Sequence, residues 1–274
     1  DCLLSRGLGD VYKRQVLAGI GAAQAQEAPV TANAPAPGTD IVIELGVGPL
    51  ARPNFEGANK YEVVASPTIR VHYLNIPGLI EFGGGLDSGL SIGPSFGYVG
   101  ERKASDAPQL SGLRDLDATY ELGLRLGYGW DLSAAYGAEV YGEARYAFNE
   151  AEGFVGGFGA NAIFRPTELL TLKLGPNATL ASSDYAETYF SVSPEESLAT
   201  GGRLEAYEAS GGFKTVGLRA ESRFEVRPTW FLNGEFGYDR LVGDAADSPI
   251  VEAGSRDQLY FGIGISKTFS LDLF

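Results

Sequence analysis

The chain has 274 residues, of which 44% are hydrophobic and 20% charged, with a formal net charge of −14. Negative charge on that scale argues against a nucleic-acid partner, because phosphate binding needs a basic surface. No apolar run reaches the ~18–20 residues of a helical span, which leaves strands of ~9–11 residues with one apolar face as a way across a bilayer, and the single cysteine, Cys2, cannot close an internal disulfide.

The length fits one large β domain or two small ones. Glycine (38 residues), tyrosine (14) and phenylalanine (15) are abundant and methionine is absent. With period-2 patterning, that mixture is typical of barrels.

Residues 1–15 carry no usable period and resemble a non-native, adapter-derived leader, so they are set aside from fold reasoning. Residues 16–25 read as the remnant of a signal peptide, an apolar tail closed by the small-x-small site Ala23-Gln24-Ala25. The Ala- and Pro-rich stretch 26–39 reads as a disordered linker, and 40–274 as the barrel.

A first strand alternates Ile41, Ile43, Leu45 and Val47 with Val42, Glu44, Gly46 and Gly48. A second carries Val63, Ala65, Ile69, Val71 and Tyr73 against Glu62, Ser66, Thr68, Arg70 and His72, and Pro67 within it predicts a bulge or an edge. Residues 79–86 are a poorly marked strand. Leu90, Ile92, Phe96 and Tyr98 mark the next, before a polar loop over 102–117.

The clearest strand sets Tyr120, Leu122, Leu124, Leu126, Tyr128 and Trp130 against Thr119, Glu121, Gly123, Arg125, Gly127 and Gly129. Aromatics at both ends with aliphatics between match an aromatic girdle about a lipid-facing band. Further alternating runs begin at Tyr136, Phe154 and Leu170, and a long acidic loop covers 183–210. Three last runs, near 216–226, 232–242 and 259–269, form an antiparallel meander.

Short turns (131–133, 166–168, 228–229) alternate with mostly longer loops (102–117, 183–210, 243–257). That alternation predicts a closed antiparallel transmembrane β-barrel of about 10–12 strands, with short periplasmic turns and longer extracellular loops. Eleven strand-like runs are read where single-chain bacterial barrels have even numbers, which puts the miscount between Gly78 and Leu90. The competing reading is a soluble lipocalin-like barrel with the two faces exchanged.

In the row Arg219, Glu221, Arg223, Glu225 and Arg227 every second residue is charged. A pore-selectivity role is one reading; pairing of opposite charges into a ladder within a narrow lumen is the plainer one. His72 is the only histidine, and no Gly-x-Ser-x-Gly elbow, Walker A loop or His-Glu-x-x-His pattern occurs, so neither enzyme activity nor a cofactor is expected. Asp244, Asp247, Glu252 and Asp257 could bind calcium but lack EF-hand spacing, and Asp115 with Asp117, or Glu195 with Glu196, could serve as an acid/base pair without a pocket to define one.

Several stretches resemble the MipA/OmpV family of Gram-negative outer-membrane proteins. They are Tyr189 to Ser197, Gly212-Phe213-Lys214 and above all Leu241 to Val251, which contains Gly243, Asp244, Asp247, Ser248 and Pro249. Weaker echoes are Phe55-Glu56-Gly57, Pro67 and Gly112 to Asp117 leading into Glu121-Leu122-Gly123, so that the resemblance spans about 41–269. It implies an outer-membrane barrel in contact with lipid and lipopolysaccharide. It also implies a scaffold joining a lytic transglycosylase to a penicillin-binding protein. A small-solute channel or efflux component, and a surface adhesin acting through its loops, are the alternatives. Such barrels end on an aromatic, a place that Phe269 and Phe274 both fit.

Overall fold

The structure is a computed structural model describing residues 38–83, 89–105 and 108–273; the readings of 1–15, 16–25 and most of 26–39 fall outside these residues. Eleven strands are present: β1 (Ile41–Pro53), β2 (Tyr61–Ile76), β3 (Ile80–Gly83), β4 (Gly89–Val99), β5 (Thr119–Asp131), β6 (Tyr136–Asn149), β7 (Gly153–Thr167), β8 (Leu170–Ala181), β9 (Gly212–Arg227), β10 (Trp230–Leu241) and β11 (Asp257–Leu271). Each pairs antiparallel with the next from β4 to β11, then β11 pairs with β1, β1 with β2 and β2 with β3, so the sheet wraps into a nearly closed barrel.

The odd count has a simple origin. Antiparallel pairing followed around the sheet makes β3 and β4 run the same way, so together they make one interrupted pass; eleven strands minus one gives ten passes. The lower piece pairs with Tyr73–Ile76 of β2, and the upper piece pairs with β5 along its whole length. Among the described residues no ladder joins the rest of β2 to β4. Pro67 on β2 and Pro94 on β4 both border this seam, where a missing backbone N–H costs least. At its upper end Arg52 bridges the gap, pairing with Glu62 at 2.9 Å and donating to the Tyr98 carbonyl at 2.7 Å.

The two faces of the wall answer the choice between lipid and water. Leu122, Leu124 and Leu126 are 53%, 61% and 51% exposed, while Thr119 and Glu121 of the same strand are buried. The same division holds along β11, with Phe261, Ile263 and Ile265 outside and Gln258 and Ser266 inside. Aromatic pairs ring the outside at two heights: Tyr98–Tyr120, Tyr120–Phe148 and Tyr146–Phe154 near the loops, Tyr128–Trp130 and Tyr136–Phe164 near the short turns. Ten residue steps separate Tyr120 from Trp130. At ~3.4 Å per step and a tilt of ~40° the belts stand about 25 Å apart, the height of a barrel's apolar band.

Apart from Ile163 on β7, the fully buried large apolar side chains collect at one end of the barrel. Residues expected to form polar loops fold there into short helices: α1 (Ser183–Phe190), α2 (Pro194–Ala199), α3 (Gly243–Asp247) and α4 (Pro249–Glu252), with a 3-10 turn at Pro108–Leu110. Tyr185, Tyr189, Phe190, Leu241 and Val251 pack in one cluster, and Phe55, Leu110, Leu113, Val192 and Ile250 in a second. The loop end of the barrel therefore carries a cap with its own core, built from segments that read in the sequence as polar loops.

Candidate functional site: the capped lumen

Local sequence rules build the cap. Ser193 accepts from the Glu196 N–H while Glu196 accepts from the Ser193 N–H, a reciprocal capping box with Pro194 in the first turn. Glu196 also accepts from the Arg114 N–H at 3.0 Å, tying α2 to the 102–117 segment. Burial pushes the Glu196 carboxyl up, but these backbone donors and the charges of Arg114 and Arg102 outweigh it and hold it below the usual carboxylate range. Arg102 donates to the Tyr189 carbonyl at 2.9 Å, and burial pushes its guanidinium down to about 10.

The residues of the family-like stretch stitch the cap together. Gly243 takes φ +57°, a left-handed turn into α3. Asp244 accepts from the Ser210 N–H at 2.9 Å through its side chain and from the Tyr207 hydroxyl through its carbonyl. Ser248 is fully buried, donates to the Phe190 carbonyl at 2.6 Å and accepts from the Ile250 N–H, with Pro249 opening α4. Asp247 lies on the surface 3.4 Å from Arg256, which also meets Glu252, and Asp257 pairs with Arg240 at 2.6 Å. The four acids considered for calcium are thus held by other partners, Asp247 and Glu252 sharing Arg256. No group of three metal-ligating side chains occurs among the described residues.

From the cap, Tyr185 points down into the barrel mouth. Its hydroxyl lies 3.1 Å from Glu121 and 3.3 Å from Glu56, and Lys214 meets Glu56 beneath it. Burial, then the two carboxylates, raise the Tyr185 hydroxyl well above its ordinary value. Glu121 in turn takes Arg145 at 2.7 Å, and Arg145 holds Glu143 at 2.6 Å, whose other oxygen accepts from Ser95.

Deeper, Glu44 on β1 is the hub. It is fully buried and meets Arg70 at 3.2 Å, His72 at 2.8 Å and Arg223 at 3.0 Å, and it accepts from the Ser266 hydroxyl. Arg223 reaches it from β9 past two intervening strands, so the contact crosses the lumen. Glu139 on β6 gathers Arg125, Lys173 and Asn161 in the same manner.

The five charges of the β9 row do not pair with one another. Arg219 goes to Asp239 at 3.1 Å, Glu221 stands 4.0 Å from Arg70, and Arg223 goes to Glu44. Glu225 accepts from the Thr229 N–H at the turn, and Arg227 lies over the Trp230 ring. A polar cavity of about 200 Å³ remains in the lumen, lined by Ser66, Thr68, Arg70, Glu221, Asn233 and Glu235 among others.

Sequence reading missed Glu44 as a hub, Glu139 and the cap core. A signal for the cap existed, since Ser193-x-x-Glu196 and Ser248-Pro249 are helix-start patterns. No local signal marks Glu44, whose partner Arg223 is 179 residues away.

An apolar outer face between two aromatic belts, a charged interior and short turns opposite long loops define a class: the outer-membrane β-barrel of Gram-negative cells, with its turns in the periplasm and its cap outside. The family described as MltA-interacting protein MipA matches residues 45–269, and the chain belongs to that family. The outer membrane protein Omp26La of Vibrio anguillarum is 28% identical over 152 residues; the match covers 55% of each chain, so this chain spans about half the length of that relative. The chain is similar in form to the COG4313 outer membrane channel from Pseudomonas putida F1 (TM-score 0.47, 11% identity, 84% of this chain and 96% of that one). It is also similar to the outer membrane protease OmpT from Escherichia coli (TM-score 0.35, 11% identity, 84% and 97%). Likeness at these levels bears on neither ligand nor activity.

Proposed function

We propose that this barrel is a non-enzymatic scaffold that binds murein-cleaving and murein-synthesising enzymes at the periplasmic side of the outer membrane. The observation that carries the reading is membership of the family described as MltA-interacting protein MipA, for which the resemblance implies a lytic transglycosylase as partner. The interior supports it. Ion pairs inside the barrel tie separate strands together, Arg223–Glu44 past two intervening strands and Lys173–Glu139 past one, and a helical cap lies over the outer end, which favours a binding body over an open pore. The periplasmic turns between strands are short, so a partner needing ~800 Å² per side must span several of them. Affinity capture from solubilised envelope with a tagged barrel tests the reading. Recovery of a lytic transglycosylase, a penicillin-binding protein or both is expected, and recovery of neither overturns it.

The lumen cavity of about 200 Å³ favours passage of a small solute as a second reading. It requires stepwise conductance in planar bilayers that shifts when Arg219 or Arg223 is neutralised. A silent bilayer removes it.

A further inference from the structure

The outward row of β11 reads Leu259, Phe261, Ile263, Ile265, Lys267 and Phe269, so one ammonium sits where every neighbour in the row is apolar. Lys267 is in register with Trp230 of β10, and Trp230 is in register with Arg227 of β9. The Lys267 ammonium lies 5.5 Å from the Trp230 ring centre and 5.0 Å from that of Phe269; the Arg227 guanidinium lies 4.6 Å from the Trp230 ring. Two cations therefore gather round one indole at the periplasmic edge of the apolar band. Among the described residues neither has a carboxylate within ion-pair distance, in contrast to the inward Arg219 and Arg223.

An aromatic face offsets only part of a cation's loss of water, and a charge beside acyl chains requires an anion or hydration. Among the described residues the wall supplies no carboxylate within ion-pair distance of either cation, the nearby Glu225 accepting from the Thr229 N–H, while the bilayer at that height supplies phosphate. An indole N–H is a further donor for an anionic oxygen. Plain snorkelling would account for a lone lysine; it does not account for a second cation converging on the same ring from another strand.

We propose that Arg227, Trp230 and Lys267 form a binding site for the phosphodiester of an anionic glycerophospholipid in the periplasmic leaflet. The ligand is a lipid headgroup held by two cations, with its acyl chains lying along Ile265 and Leu232 above.

Brominated lipids test this, because bromine on the acyl chains quenches only nearby indoles. The chain has two tryptophans, so Trp130→Phe leaves Trp230 as the sole reporter, and heat-modifiable gel migration confirms that each variant is folded. The barrel is reconstituted in vesicles carrying a minor fraction of brominated phosphatidylglycerol or, separately, of brominated phosphatidylcholine. Excess quenching by phosphatidylglycerol is expected, corresponding to roughly five-fold local enrichment per cation. The excess should vanish in Arg227→Gln/Lys267→Gln and persist in Lys267→Arg. Equal quenching by both lipids, or an excess unchanged in the double variant, overturns the proposal. Added lipopolysaccharide should leave the excess in place; if it removes the excess, the site belongs to lipopolysaccharide phosphate and the assignment to a glycerophospholipid fails.

Discussion

Glu44→Gln is the sharpest test of how this barrel holds itself together. The substitution keeps the side chain's volume and its acceptor oxygen but removes the charge that Arg70, His72 and Arg223 surround at 3.2, 2.8 and 3.0 Å. Breaking a buried ion pair costs about 3–5 kcal/mol, because the abandoned partners stay desolvated. Arg70 and Arg223 keep 39% and 23% of their side chains exposed, so water recovers part of that cost and the lower end, about 3 kcal/mol, is expected. That is roughly a 100-fold shift in the unfolding equilibrium. Arg223→Gln should cost less, about 1 kcal/mol, because Glu44 retains its other partners. Combined, the two should cost clearly less than their sum, revealing a coupling of at least about 1 kcal/mol. Reversible urea unfolding of the reconstituted barrel measures all three; the midpoint should move and the slope should not. A Glu44→Gln midpoint equivalent to less than about 0.5 kcal/mol, or strict additivity with Arg223→Gln, would refute the view that Glu44 ties the walls across the lumen.

Other consequences can be read in the cap and the seam. Tyr185→Ala removes a fully buried ring and should cost the cap about 3–5 kcal/mol, whereas Tyr185→Phe should cost about 1 kcal/mol because Glu121 keeps Arg145; proteolysis within 183–211 reports both, and equal cleavage in the two variants would contradict the order. Ser248→Ala strips the Phe190 carbonyl of its buried donor and α4 of its N-cap, so about 1–2 kcal/mol of cap stability should disappear in the same assay. Glu196 is depressed in the folded cap, so its contribution is present above the unfolded carboxyl value near ~4.3 and is lost as pH falls through the lower folded value. Cleavage of the cap should accordingly rise below about pH 4 in the wild type, and that acid dependence should weaken in Glu196→Gln; an unchanged profile in the variant would assign the transition to other acids. Amide exchange should be faster along 63–70 of β2, beside the unladdered seam, than along β10, which is paired on both sides; uniform protection would mean that the seam is closed by hydrogen bonds in the membrane.

The wall was legible because lipid imposes a binary choice on every second residue. Val216, Leu218 and Phe224 against Arg219, Glu221 and Arg223 declare a strand with no knowledge of its neighbours. The strand count was not, because β3 shows only four residues beside a gap in the pattern and its continuation changes partner from β2 to β5. The cap escaped for a different reason: helices of four to eight residues are shorter than the window over which a 3.6-residue period declares itself, and their apolar residues answer to contacts with other loops. The charged row shows where strand-by-strand reading stops. With only ten passes the opposite wall lies within reach of a long side chain, so the partner of Arg223 is fixed by closure of the barrel and not by the next charge along its own strand. What a row of alternating charges does in such a narrow lumen is therefore decided by the acids that other strands bring beside it. Glu44, three strands away on β1, takes Arg223, while Asp239 on the adjacent β10 takes Arg219, and the interior becomes part of the scaffold's own cohesion.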